Sequence, residues 1–136
     1  MKVGFTGTSI GMTNLQQEAL KKILTELKPE ELHHGDCEGS DEQAHYIALS
    51  LKIQVVVHPP ENPYKRAFCK DFVSIRVEKP YLERNQEIVK ETEILIATPK
   101  NAIEELRSGT WMTIRFAKKS KKHWSIIEPN GTIRTP

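Results

Sequence analysis

The residues of this chain best suited to chemistry lie in polar, glycine-bearing turns, each of which opens an amphipathic helix. Leu106-Arg107-Ser108-Gly109-Thr110-Trp111 follows the apolar run Ile94-Leu95-Ile96-Ala97 and leads into Met112–Ala117 at helical spacing. A helix start carries N–H groups without intrahelical partners, and a glycine there lets a ligand approach the backbone closely. Arg107, Ser108, Gly109, Thr110 and Trp111 are therefore candidates for a phosphate site. The same logic recurs at the amino terminus. Lys2-Val3-Gly4-Phe5 reads as a buried strand running into Thr6–Thr13, after which Leu15, Ala19, Leu20, Ile23, Leu24 and Leu27 recur at helical spacing. Gly7, Thr8, Ser9, Met12 and Thr13 are the candidates of this turn, and Thr13 with Gln16 forms a capping-box pattern that marks the helix start.

A third turn, His33-His34-Gly35-Asp36-Cys37-Glu38-Gly39-Ser40-Asp41, also opens a helix. Ser40 or Asp41 is a natural cap, Gly35 and Gly39 permit a close backbone pass beside a ligand, and Asp36 is placed to accept a hydrogen bond from a ribose hydroxyl. His34, Gly35, Asp36, Gly39, Ser40 and Asp41 join the candidate set. Arg84 and Asn85 lie near the start of a helix whose apolar positions are Leu82, Ile88 and Val89. A cation there opposes the helix dipole, which favours an anion as the partner of Arg84.

Bulk properties set the frame for these turns. The 136 residues carry a net charge of +2, enough chain for one domain with its own core, spanning 1–136. Basic residues concentrate only in Lys118-Lys119-Ser120-Lys121-Lys122, a run that suits the solvated carboxyl end of a helix. Duplex nucleic-acid binding is given little weight. Single-stranded binding needs a basic groove with stacking aromatics, for which only Trp111, Tyr64 and Tyr81 are available, and the near-neutral net charge argues against it. Cys37 and Cys69 fit no CxxC or Cys/His pattern, and His33, His34, His45, His58 and His123 show no metal-ligand spacing, so no metal and no cofactor are expected. Without a signal peptide or long apolar run, the expected setting is cytoplasmic, with reduced thiols and no membrane partner.

The elements that must hold the turns alternate. Strands are expected at Val3–Thr6, Glu31–His34, Gln54–His58, Ile94–Thr98 and His123–Ile127, and helices at Asn14–Leu27, Asp41–Leu51, Tyr81–Glu91 and Gly109–Lys118. This pattern predicts an α/β fold: a single Rossmann-like three-layer domain with a mostly parallel five-stranded sheet. Residues 58–81, with Pro59, Pro60 and Pro63, break the pattern and read as a lid or an oligomer contact. The tail with Asn130-Gly131 reads as a turn followed by a short strand or a frayed end. Ile88, Val89, Trp111, Ile114 and Phe116 exceed what one face of such a sheet needs, which predicts a homodimer or higher homo-oligomer.

Phe5-Thr6-Gly7-Thr8, Gly11-Met12-Thr13, His33-His34-Gly35-Asp36-Cys37-x-Gly39-Ser40-Asp41, His58-Pro59-Pro60, Tyr81-Leu82-x-Arg84-Asn85 and Arg107-Ser108-Gly109-Thr110-Trp111 together resemble the SLOG superfamily. These are Rossmann-like nucleotide-binding domains related to the DNA-processing protein A and Lonely Guy families, and the most similar variants are small bacterial and phage proteins. The resemblance covers nearly the whole chain. It implies a nucleotide-derived ligand over the carboxyl ends of the strands, with phosphate at Ser108-Gly109-Thr110. Lonely Guy enzymes cleave nucleoside monophosphates with a Pro-Gly-Gly-x-Gly-Thr-x-x-Glu motif. Aligning Gly109-Thr110 with its Gly-Thr puts Thr113 in the place of the catalytic glutamate and Arg107-Ser108 in the place of two glycines. Arg84 matches an arginine of the family pattern, whereas Ser9 replaces the arginine of a common Gly-Thr-Arg turn.

The resemblance thus implies non-catalytic binding of an ADP-ribose derivative or a cyclic nucleotide signal. In the setting of antiphage defence such a stand-alone binder would be a phage sponge that sequesters the host's immune signal. The alternative is a nucleotide hydrolase or phosphoribohydrolase of Lonely Guy type working through Asp36 or Asp41, since glycosidic cleavage needs a carboxylate.

Overall fold

A computed structural model describes residues 1–136. Strand β1 (Lys2–Gly7) is followed by helix α1 (Asn14–Leu27), β2 (Glu31–His34), α2 (Ser40–Ser50), β3 (Gln54–Val57) and β4 (Ser74–Ile75). The chain continues through α3 (Tyr81–Glu91), β5 (Ile94–Thr98), α4 (Gly109–Lys119), β6 (His123–Ile127) and β7 (Ile133–Arg134). The strands form one sheet in the order β4-β3-β2-β1-β5-β6-β7, parallel throughout except for the β6–β7 pair.

The sheet therefore has seven strands, not the expected five. Both additions are edge strands of two residues, too short to display an alternating pattern. Strand β4 lies inside the segment read as a lid, pairing Val56 with Ser74 and Val57 with Ile75. Strand β7 returns after the Asn130-Gly131 turn and lies antiparallel to β6.

Burial on both faces explains why β3 and β5 are near-continuous apolar runs. On one face, Leu20 and Leu24 of α1 and Ala44 and Ala48 of α2 pack against Val3, Phe5, Leu32 and Val55. On the other, Trp111, Ile114 and Ala117 of α4 and Val89 of α3 pack against Leu95, Ala97 and Ile126. Helix α1 starts in the expected capping box, with Thr13 Oγ1 accepting from Gln16 N–H at 3.1 Å. The buried Gln16 side chain also donates to the carbonyls of Pro99 and Ile127, at 3.0 and 2.9 Å, which ties α1 to the ends of β5 and β6.

The apolar side chains of α3 and α4 that predicted a partner leave no surplus surface for one. Ile88, Val89, Trp111 and Ile114 are all buried within the chain, and Phe116 is half-buried, so they complete the monomer core. The exposed apolar side chains lie elsewhere, among them Ile10, Ile103, Leu106, Val77 and Tyr64.

Residues 58–81 are pinned, not loose. Glu38 N–H donates to the Lys65 carbonyl and Ala67 N–H to that of Asp36, both at 2.8 Å, and Cys37 bridges to Arg66. The segment is a strap over the β2–α2 turn. Under it and beside α3, polar side chains cover β2 and β3. His33 Nε2 contacts Glu31 at 2.8 Å, His33 Nδ1 contacts His58 Nε2 at 2.8 Å, and His58 Nδ1 contacts Glu87 at 2.6 Å.

Candidate functional site

Strands β2, β3 and β4 extend the sheet to one side of β1, and the chain then returns to place β5 on the other. Beyond the carboxyl ends of β1 and β5 the helices diverge to opposite faces and leave a crevice, the position where open α/β sheets bind ligands. A cleft of about 750 Å³ occupies it, a volume in the range of small-molecule sites.

Its walls come from the turns singled out in the sequence. Thr8 and Ser9 supply the first turn, Gly35 and Asp41 the second, Arg84 and Asn85 the start of α3, and Arg107, Ser108, Gly109 and Thr110 the start of α4. On the α4 wall, Ser108 is the helix cap, its hydroxyl accepting from Trp111 N–H at 3.2 Å. The first-turn amides of Gly109 and Thr110 have no intrahelical acceptor by construction. A Cβ built on Gly109 would meet nothing within 4 Å, so the space beside that backbone is open.

Arg84 forms part of the floor. It is only 5% exposed, and its Nη1 donates to the carbonyls of Gly35 and His58, the latter at 3.2 Å. Its Nε donates to Asn85 Oδ1 at 2.7 Å, and its Nη2 lies 3.7 Å from Cys37 Sγ. A side chain on Gly35 would collide with this guanidinium, so Gly35 is what lets a buried cation lie along the second turn.

Asp41, in the first turn of α2, is buried, with Oδ2 accepting from Cys37 N–H at 3.2 Å. Its Oδ1 is buried without any partner. Burial pushes the Asp41 carboxyl up to about 6, against the opposing pull of Arg84.

Other sequence candidates lie outside the cleft lining. A Cβ on Gly7 would run into Thr98 and Ser40, and Gly39, at φ 84°, passes against the backbone of Ser9 and Gly11. Ser40 Oγ and N–H both donate to the Thr8 carbonyl, at 2.7 and 3.1 Å. Gly7, Gly39 and Ser40 thus lock the first turn to the second, chain against chain. Met12 and Trp111 are buried in the core, while Thr13 caps α1 and donates to the Pro129 carbonyl at 2.7 Å. The Asp36 carboxylate is spent inside the strap. Oδ2 accepts from Arg66 Nε at 2.8 Å and Oδ1 from Cys69 N–H at 2.9 Å. Thr113 is buried and donates to the Gly109 carbonyl at 2.9 Å.

The lining also includes residues the sequence reading left out of the site, among them Cys37, Lys100, Glu105, Leu106, Ile10 and Tyr81. Lys100 stands just past the end of β5, a position that the strand-end rule alone would have flagged.

Two histidine groups gather donor atoms within 4.8 Å, His34 with His45 and Cys69, and His33 with His58 and Glu91. In the first, Asp36 N–H donates to His34 Nδ1 at 2.9 Å, so Nε2 carries the proton it gives to His45 Nδ1, also at 2.9 Å. His45 Nε2 in turn contacts the Lys70 carbonyl. Every ring nitrogen is committed. In the second, the facing nitrogens are 2.8 Å apart, whereas two nitrogens on one tetrahedral zinc are separated by about 3.3 Å. Both groups read as hydrogen-bonded pairs.

No protein-family model matches the chain, and no curated protein does. Solved structures do resemble it. A molybdenum cofactor binding protein from Rippkaea orientalis superposes with a TM-score of 0.70 at 19% identity, covering 92% of this chain and 74% of its own. The structural-genomics target TM1055 gives 0.66 at 15%, covering 89% of this chain and 70% of its own. DNA processing protein A (DprA) from Streptococcus pneumoniae gives 0.68 at 19%, covering 92% of this chain and 49% of its own. The chain shares the α/β fold of these three structures. No helix is long and apolar enough to cross a membrane.

Proposed function

We propose that this chain binds a nucleotide-derived small molecule in the crevice between β1 and β5, with a phosphate at the start of α4, and does not turn it over. The observation that carries this reading is the open first turn of α4. Its free amides and the empty space beside Gly109 open onto a cleft at the sheet's switch point that the cations Lys100 and Arg107 also line. The cofactor named for the Rippkaea orientalis structure fits a fold used for small molecules. Thr113, in the place of the Lonely Guy glutamate, is packed away from the cleft and has no acid to offer.

The ligand in this reading is an ADP-ribose derivative or a cyclic nucleotide signal, and the biological role is a phage sponge that removes a host antiphage signal. Self-association belongs to the reading as well, now resting on the exposed Ile103 and Leu106 near α4. Calorimetry with AMP, ADP-ribose and cyclic mononucleotides, paired with chromatography of the same mixtures, tests it. Binding with intact ligand recovered is expected. Free base released from AMP in proportion to protein would refute it in favour of the phosphoribohydrolase alternative. One observation favours that second reading: of its two carboxylates, Asp36 is tied up by Arg66 and Asp41 faces the cleft.

A further inference from the structure

We infer that Asp41 is the specificity-determining residue of the cleft and that it recognises the ribose hydroxyls of the ligand; this rests on the nucleotide reading above. Asp41 is 6% exposed, its Oδ1 has no hydrogen-bond partner, and it lines the cleft. A buried acceptor left unpaired is costly unless something completes it. Capping does not account for it, because the cap of α2 is Gly39 and Asp41 lies inside the helix.

The chemistry of the missing partner follows from the group. An ionised carboxylate only accepts, so the ligand must bring a donor to this wall and keep its phosphate away from it. The phosphate has its own place on the α4 wall, beside Lys100 and Arg107. A nucleotide carries two kinds of donor, its ribose hydroxyls and the exocyclic and ring N–H groups of its base. Asp41 is held in the floor between the second turn and Arg84, with one oxygen anchored on the Cys37 amide. It lies in the first turn of α2 and lines the same cleft as Thr8 and Ser9 of the first turn and Ser108, Gly109 and Thr110 of α4, so a ligand with its phosphate on the α4 wall reaches it first with the sugar that carries that phosphate. Asp36, five residues before Asp41 in the same turn, has both oxygens occupied and cannot take the role.

The test is calorimetry of wild type and Asp41→Asn with AMP, 2′,3′-dideoxy-AMP and IMP, which share the phosphate and differ in one donor set each. Wild type is expected to prefer AMP over the dideoxy analogue by at least about tenfold, because a site built around a hydroxyl rejects the analogue that lacks it. Asp41→Asn is expected to bind the two alike, with a far-UV circular dichroism spectrum matching wild type showing that the fold is intact. Equal wild-type affinity for AMP and its dideoxy analogue would overturn the assignment while leaving the phosphate reading in place. So would a preference retained by the variant, or a preference for AMP over IMP with no hydroxyl dependence. Failure of all three to bind would overturn the phosphate reading and this inference together.

Discussion

Replacing Gly109 with valine separates ligand binding from folding at one position. The glycine opens α4, its φ is not positive, and a Cβ there meets no atom within 4 Å. The folded chain therefore accepts a Cβ at this position without a clash. Valine is the better helix former by a few tenths of a kcal/mol, so stability is expected to stay within about 0.5 kcal/mol of wild type. The ligand loses what the side chain now occupies. A phosphate held at this turn accepts charge-assisted bonds from the Gly109 and Thr110 amides, each worth about 1.5–3 kcal/mol. Losing one or two of them weakens affinity by roughly 10-fold to more than 1,000-fold. Urea unfolding checks the first half and calorimetry with AMP the second. A folded variant with wild-type affinity would remove the phosphate from the start of α4, and a variant that unfolds would show that the open space is illusory.

Asp41→Asn is expected to stabilise the chain at pH 7.5 by up to about 3 kcal/mol, since a carboxyl raised from 3.8 to about 6 is charged there at a cost to the native state; an unchanged or lowered urea midpoint would contradict that. Acid has the opposite sign for the histidines. Burial holds His34 well below its usual range and His58 down at about 4. His34, whose Nδ1 accepts from the Asp36 amide, is neutral in the native state, and the stability this represents is complete above about pH 6.5 and lost as the pH falls below it. Asp41 offsets part of it, because its proton is taken up more readily by the native state. The urea midpoint should therefore drop between pH 7 and pH 5, and a flat or rising midpoint would refute the neutral assignment. Light scattering should report a mass above 15.6 kDa that Leu106→Glu returns to the monomer; a wild-type monomer at high concentration would end the self-association reading.

Much of this fold was written in local patterns. The helically spaced leucines of α1 and its Thr13/Gln16 box fixed that helix at Asn14–Leu27, and the bounds expected for β2, β5 and β6 match their strands residue for residue. What escaped was decided at long range. Two-residue β4 and β7 owe their existence to neighbours already in place, with no pattern of their own. Glycines announce a close approach without saying to what. Gly109 faces open space, whereas Gly7 and Gly39 face other parts of the chain. Asp36 and Asp41 are equivalent on paper. Only the strap, through Arg66 and the Cys69 amide, consumes the first and leaves the second facing the cleft. Trp111 looked like a ligand-facing aromatic beside the phosphate turn, but α4 rotates it into the core.

The central claim is that the crevice holds a phosphorylated, nucleotide-derived molecule and returns it unchanged. Native protein purified without added nucleotide, desalted and then heat-denatured, releases its small molecules for mass spectrometry. The account predicts an intact nucleotide-derived phosphate ester, approaching one per chain in wild type and depleted in Gly109→Val. Release of a ligand without phosphate, or of a free base with its sugar phosphate, would contradict it.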